Sequence, residues 1–411
     1  MRVLTHRPNQ VMTTTFRYVT DIQTRKNGTE YRESKSDNIP GRNYSFQYRL
    51  DEEETVAEEL AMLVNFNEDI KIPLYYEEYT LNDTVVDAQV PGKYYLNPGD
   101  EVILVDYDAG LHHITTIAST HDDRVVLTDA VTRAFPEGSS LMPLETVKRW
   151  NDPQIQRHTR NAANLLLQFE STKFRPVSGA LEFATFDGIP RLETRPLQQG
   201  IATETYSNRN RITRYSPASP FHISSTNIYP VKKAALSYVI EGREQLEKFK
   251  SAINYLQGMF REIYIPTYRH NLIYQPSNTN TNLIGFDNSE NIGFNWKRGQ
   301  AIFLEYGPDA NREYQFMKIE GVRINSPSGT AQLISDTQVS QEVLSSEGVK
   351  LGFLERCRLD NDGVELNYSG GDDINIRLAV STIPEPFLPI TVHDEGPDDG
   401  KYGDKYEDRY D

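Results

Sequence analysis

Asn43 to Tyr76 reads NYSFQYRLDEEETVAEELAMLVNFNEDIKIPLYY, and Ala234 to Tyr268 reads AALSYVIEGREQLEKFKSAINYLQGMFREIYIPTY. Each stretch opens with alternating apolar and polar residues, at 43–50 and 234–240, which is the period of a strand with one buried face. A helix pattern follows. In the first copy Asp51 is placed to cap and Glu54 to complete a capping box, and Val56, Leu60, Leu63 and Val64 share one face. In the second copy Leu246, Phe249, Ile253 and Leu256 form that face, and Gly258 is placed to stop the helix. The spacing predicts helices at about 52–66 and 244–257. Each copy closes on an extended Ile-Pro segment, Ile72-Pro73 and Ile265-Pro266. These pairs are 193 residues apart, as are Leu60 and Ile253, so one strand–helix–strand module occurs twice in register.

The likeness continues beyond the module. NPGDEVILVDY at 97–107 is similar to KRGQAIFLEY at 297–306, and each opens a run of short strands (Arg124–Thr128 in one half, Val322–Ile334 in the other). Closely spaced strands with Gly and Asp turns predict a small barrel in each half. A last alternating strand follows, NLLLQFE at 164–170 and INIRLAVST at 374–382. The offset drifts from 193 to about 210, as small insertions into one ancestral unit would produce. Residues 1–42 are read as a polar arm with a turn at Thr24–Gly28, residues 176–230 as a connector, and the tail at 394–411 as an acidic segment. The fold class is mainly β, of α+β type.

Composition narrows the function. Lys plus Arg against Asp plus Glu gives 43 − 59 = −16, which lacks the basic footprint of a general nucleic-acid binder. Cys357 is the single cysteine, so no disulfide within the chain holds the fold, and a buried apolar role is expected for it. No apolar run reaches the roughly 18 residues of a membrane span, and Met1–His6 lacks a signal-peptide core. The expected site of folding is a cytoplasm, with no membrane partner.

No catalytic constellation emerges. His112-His113 and His121-Asp122-Asp123 are the densest metal-like groups, but they fall on strand ends and turns rather than at i, i+4 on a helix. There is no G-x-S-x-G elbow, no Walker A loop and no G-x-G-x-x-G after a strand. Ser369-Gly370-Gly371 reads as a hairpin turn. The site assignment is therefore none: no catalytic, cofactor-binding or metal residues, no cofactor, and no enzyme.

Tyr18 to Arg32 (YVTDIQTRKNGTEYR), the module that follows, Gly258 to Leu272 (GMFREIYIPTYRHNL) and Arg358 to Leu366 (RLDNDGVEL) together resemble the minor or distal tail proteins of long-tailed bacteriophages. The lambda-type minor tail protein M has a similar order in one copy. The resemblance covers most of residues 17–386 and leaves out the acidic tail. It implies two tail-tube-like β-sandwiches, each with one flanking helix and one inserted small barrel. The division is then an arm at 1–42, a first sandwich at 43–86 and 150–175 with a barrel at 87–149, and a connector at 176–230. A second sandwich takes 231–275 and 346–386 with a barrel at 276–345, and the tail takes 387–411. The implied role is a ring in the virion tail tip, assembled in the host cytoplasm. That ring joins the tail tube protein to the tip hub protein beside the tape-measure protein and keeps the DNA channel open. Three chains carry six copies of the unit, which favours a trimer over a hexamer. A receptor- or carbohydrate-binding module and a cell-wall hydrolase are the rival readings.

Overall fold

A computed structural model describes residues 2–394 except 5–6, 25–29, 36–38, 51–67, 159–162, 173–183, 193, 198–203, 208–209, 214–221, 226–230, 268–273, 276–281, 288–296, 308–312, 326–329, 346–347, 369–372, 384–387 and 390. The chain is mainly β, dominated by one large, mostly antiparallel sheet. The helix expected at 52–66 lies outside the described residues. No helix among the described residues is long and apolar enough to cross a membrane.

The chain divides into two compact units. Met1–Phe183, Pro196–Glu262 and Arg358–Ser381 form the first, and Ala184–Arg195, Ile263–Cys357 and Thr382–Asp411 form the second.

The first unit is organised by eight strands, numbered here along the chain, with shorter elements named by range. They are β1 (Met12–Arg17), β2 (Gly41–Leu50), β3 (Gln154–Arg157), β4 (Ala163–Ser171), β5 (Glu204–Ser207), β6 (Val231–Glu241), β7 (Gly363–Tyr368) and β8 (Asp373–Thr382). Their order across the sheet is β5-β6-β8-β7-β1-β2-β4-β3, antiparallel throughout. The first four of that series belong to the second sequence repeat and the last four to the first. In both halves the order is the same.

The alternation seen in the sequence selects the buried face. Tyr44, Phe46 and Tyr48 of β2 lie opposite Phe169, Leu167 and Leu165 of β4, and all six are buried. Tyr238 and Ile240 of β6 meet Ile376 and Ile374 of β8 in the same way. Each such side chain contributes about 1.5–3 kcal/mol on burial.

Helix α1 (Gly242–Leu256) follows β6. Leu246, Phe249, Ile253 and Leu256 are all buried, and the Phe249 ring lies 5.3 Å from that of Tyr238. The helix starts two residues before the expected Glu244, with Gly242 at φ +75° taking the sharp entry. It ends where Gln257 and then Gly258 enter the left-handed region, at φ 50° and +68°. A Cβ on Gly258 would collide with the Asp362 side chain, so the backbone conformation and the close packing both call for glycine.

Strand Ser140–Arg149 links two layers of the first unit. Its residues 140–143 pair with Glu101–Asp106, and 144–147 pair with Ile70–Pro73. The strands Leu111–Thr120, Arg124–Leu127 and Gln89–Pro91 continue from Glu101–Asp106 in sequence of pairing. They share a core of Val90, Val102, Leu104, Ile117, Val125, Leu127 and Leu141, to which Leu81 and Val85 also belong. That core therefore begins earlier than residue 87.

The second unit repeats this arrangement by itself. Strand Lys350–Leu359 pairs with Ala301–Tyr306 through residues 350–353 and with Ile263–Pro266 through 354–357. Glu313–Asn325, Thr330–Ser335 and Leu283–Asp287 continue the order around Ile302, Leu304, Met317, Ile319, Val322 and Leu333. The duplication reaches individual hydrogen bonds. The ladder is bulged between Ile117 and Ser119 in one unit and between Ile319 and Gly321 in the other. Gly99 N donates to Ile117 O at 2.7 Å, and Gly299 N donates to Ile319 O at 2.7 Å. A bulge bends its strand in a defined place and persists as a designed feature. Its recurrence argues for common descent of the two halves.

Candidate functional site

The two repeats meet at a joint inside the first unit. β1 of the first repeat lies antiparallel to β7 of the second, with Thr14 opposite Leu366 and Phe16 opposite Val364. Met12, Phe16, Val364, Leu366 and Tyr368 are all buried there. Thr13 Oγ1 donates to Asn367 Oδ1 at 2.8 Å across the ladder.

Beneath the ladder sits a buried network of charges. Glu77 accepts from Arg243 Nη2 at 3.0 Å and from Lys250 Nζ at 2.8 Å. Lys250 also donates to Glu247 at 3.0 Å, and Arg243 Nη1 donates to Tyr76 O at 3.1 Å. Glu77 comes from the first repeat, in the 3-10 turn Tyr75–Glu77, and the cations come from α1 of the second. Tyr76 and Tyr368, again one from each repeat, stack at 4.4 Å. Burial opposes charge on Arg243, but Glu77, Tyr79 and Glu247 outweigh it, and the guanidinium is held above its ordinary pKa. Burial pushes the Tyr44 and Tyr368 phenols well up, with neighbouring Glu145 and Tyr76, respectively, adding to it. Such a network is costly to break, because removing one partner strands a buried charge.

A polar cleft of about 440 Å³ opens over this network, lined by Arg7, Tyr76, Glu78, Arg243 and Tyr368 among others. Its charged groups are paired: Arg7 with Glu78 at 2.9 Å, and Arg243 with Glu77.

A hairpin made of Thr20–Thr24 and Glu30–Ser34 follows β1 and clamps the joint. Arg358 Nε and Nη2 donate to Glu30 at 2.8 and 2.9 Å. Arg32 donates to Phe260 O at 3.2 Å and pairs with Glu262. The entry to the hairpin is fixed by Asp362, whose carboxylate accepts from Thr20 N at 2.8 Å and Met259 N at 3.1 Å.

β1 falls within 1–42, the segment the sequence reads as an arm outside the repeat, yet it is one of the two middle strands of the eight. MTTTFR conceals its alternation because Thr14 fills a buried position between Met12 and Phe16. β5 falls in the connector at 176–230 and shows no buried face of its own, Thr205 and Tyr206 both being exposed, so its pairing with β6 is what assigns it to the second repeat and extends both repeats toward their N-termini. The charge network left a faint trace in sequence: Arg243, Glu247 and Lys250 lie at i, i+4 and i+7, a polar stripe beside the apolar face of α1.

The other groups weighed from sequence are dispersed. His112 and His113 sit on one strand, where neighbours face opposite sides. His121 contacts Ser119 at 3.2 Å, and Asp123 pairs with Arg124. Cys357 is buried opposite Ile263. Ser369-Gly370-Gly371 lies outside the described residues. Among the described residues, no group of three or more His, Cys, Asp or Glu is placed to hold a metal ion. No family model matches this chain, and no curated protein sequence matches it.

Proposed function

We propose that this protein is an architectural ring-former of a phage tail tip, joining the tail tube to the tip hub around an open DNA channel. One observation carries the reading. Two copies of a four-strand unit stand side by side in one sheet, joined head to tail by β1 and β7 rather than by a twofold contact. A head-to-tail contact between equivalent units leaves one unsatisfied end of each kind, and it either closes into a ring or runs on as a filament. The sheet halves act as tube-like sandwiches, and the strand sets around residues 87–149 and 276–345 as small inserted barrels. Partners of this reading are further copies of the chain, the tail tube protein, the tip hub protein and the tape-measure protein, and its location is the virion tail tip.

Three chains supply six units, which matches a sixfold tube on one side and a threefold hub on the other without mismatch. The net charge of −16 suits a channel through which DNA slides without adhering. Native mass measurement and particle images of the purified protein test this. The expected result is a closed ring with a mass near three times 47.1 kDa. A mass near six chains overturns the trimer, and a chain that stays monomeric both alone and with tail proteins overturns the ring.

A further inference from the structure

The terminal strands of the eight-strand sheet are β3 at one end and β5 at the other, each hydrogen-bonded to one neighbouring strand among the described residues. We infer that they are complementary mating edges: β5 of one copy pairs antiparallel with β3 of a second copy, in the register that β1 and β7 already use within the chain. The inference rests on the ring reading and names the surfaces and the alignment that would build the ring.

Register follows from the repeat itself. β1 ends at Arg17 with its hairpin starting at Thr20, and β5 ends at Ser207 with its hairpin starting at Asn210. β1 and β5 therefore correspond at a separation of 190 residues, three fewer than the helix and Ile-Pro strand, and Thr14 opposite Tyr44 then matches Glu204 opposite Ala234. Leu366 lies opposite Ile376 and Ile155 opposite Leu165, so β7 and β3 correspond at 211. Within the chain Thr14 faces Leu366, Thr15 faces Glu365 and Phe16 faces Val364. Carried to the sheet ends, this places Glu204 opposite Ile155, Thr205 opposite Gln154, and Tyr206 opposite Pro153. The ladder thus stops at a proline, which is tolerated just before a strand because it has no N–H to donate.

Two further observations point to a second copy as the occupant. First, residues buried at the internal joint have exposed apolar counterparts at the ends. Phe16 is 1% exposed and its counterpart Tyr206 is 62% exposed, while Leu366 at 0% corresponds to Ile155 at 38%. Trp150, next to β3, is 51% exposed. Edge strands are normally guarded by charge or bulges, and β3 presents the uncharged run Gln154, Ile155 and Gln156 before its one charged residue, Arg157. Second, the clamp is duplicated as well. A hairpin of Asn210–Thr213 and His222–Ser225 follows β5 at the spacing with which the first hairpin follows β1. The first hairpin grips Glu262 and Arg358 of the second repeat. Their counterparts in the first repeat are Asp69 and Lys148, which flank the matching strands, pair with each other at 3.7 Å, and are half exposed. The hairpin of the next copy would seat on that ion pair.

Cysteine cross-linking tests the register. Cys357 is buried, and Thr205 and Gln154 are exposed, so Thr205→Cys with Gln154→Cys in one chain leaves the fold intact. Thr15→Cys with Glu365→Cys, at the equivalent internal pair, is the positive control and should give an intramolecular bond only. The expected result on oxidation is a ladder of covalent multimers on a non-reducing gel, ending at the ring, with Thr205→Cys alone giving none. Ile155→Lys, at an exposed position, should weaken association at least tenfold while melting stays unchanged. If the uncross-linked protein assembles but the double variant forms no multimers while the control closes, the mating edges are wrong and the ring reading survives. If it never assembles, both fall.

Discussion

The turn before β7 and the turn before β3 occupy equivalent places in the two repeats and have opposite fates. At Asp360–Asp362 the backbone and carboxylate are saturated: Asp362 holds Tyr18, Thr20 and Met259, and Leu366 beyond it is fully buried. At Trp150–Asp152 the same corner faces outward, with Trp150 half exposed and Ile155 more than a third exposed. Strand order and pairing are alike in both, and Trp150 N donates to Gln168 O as Asp360 N donates to Ala379 O. What differs is whether a neighbouring repeat covers the corner. Burial here is a property of position in the array, not of the repeat.

Four measurements sharpen that contrast, beginning with the largest effect. Ile253→Asp places a charge in the fully enclosed face of α1 and should cost roughly 4 kcal/mol or more, unfolding the second half of the sheet. A soluble variant with unchanged urea midpoint would show that α1 does not hold it.

Glu77→Gln removes the carboxylate shared by Arg243 and Lys250 across the joint. The expected loss is about 3–5 kcal/mol, read by denaturant unfolding, with Glu77→Gln/Lys250→Met recovering part of it. A loss no larger than that of an exposed ion pair would remove the network from the joint's energetics.

The corner itself is compared directly. Asp362→Ala leaves two backbone N–H groups without acceptors and should cost about 1–3 kcal/mol. Asn151→Ala, at the uncovered corner, should stay within about 0.5 kcal/mol in the isolated chain. Equal costs would erase the difference between the corners.

The smallest effect near neutrality is on pH. Burial raises the Tyr94 phenol to about 12, and Tyr44 and Tyr368 are raised in the same direction. An unfolded tyrosine ionises at about 10, so the folded state keeps its proton longer than the unfolded state does. That contribution is complete below about pH 10 and declines as pH rises toward 12. Melting temperature should therefore be level through neutral pH and fall across that alkaline window, in step with tyrosinate absorption. A fall that begins near neutrality would assign it to other groups.

The sequence by itself determined the strand–helix–strand pattern of the second repeat, the Ile-Pro strands and the last strands of each half. Alternation at 43–50 and the Leu246–Leu256 stripe report burial directly, because one face of a strand or helix must leave water whatever it packs against. The duplication was legible for the same reason, down to the paired motifs at 97–107 and 297–306. Only the tertiary structure decided that β1 and β5 belong to the repeats: Thr14 of β1 owes its burial to neighbours rather than to its own hydrophobicity, and β5 is placed by its pairing with β6 alone. It also decided that Glu77 meets Arg243 and Lys250. That contact joins residues more than 160 positions apart, and the spacing of charges along a chain carries no record of which distant group will neutralise them.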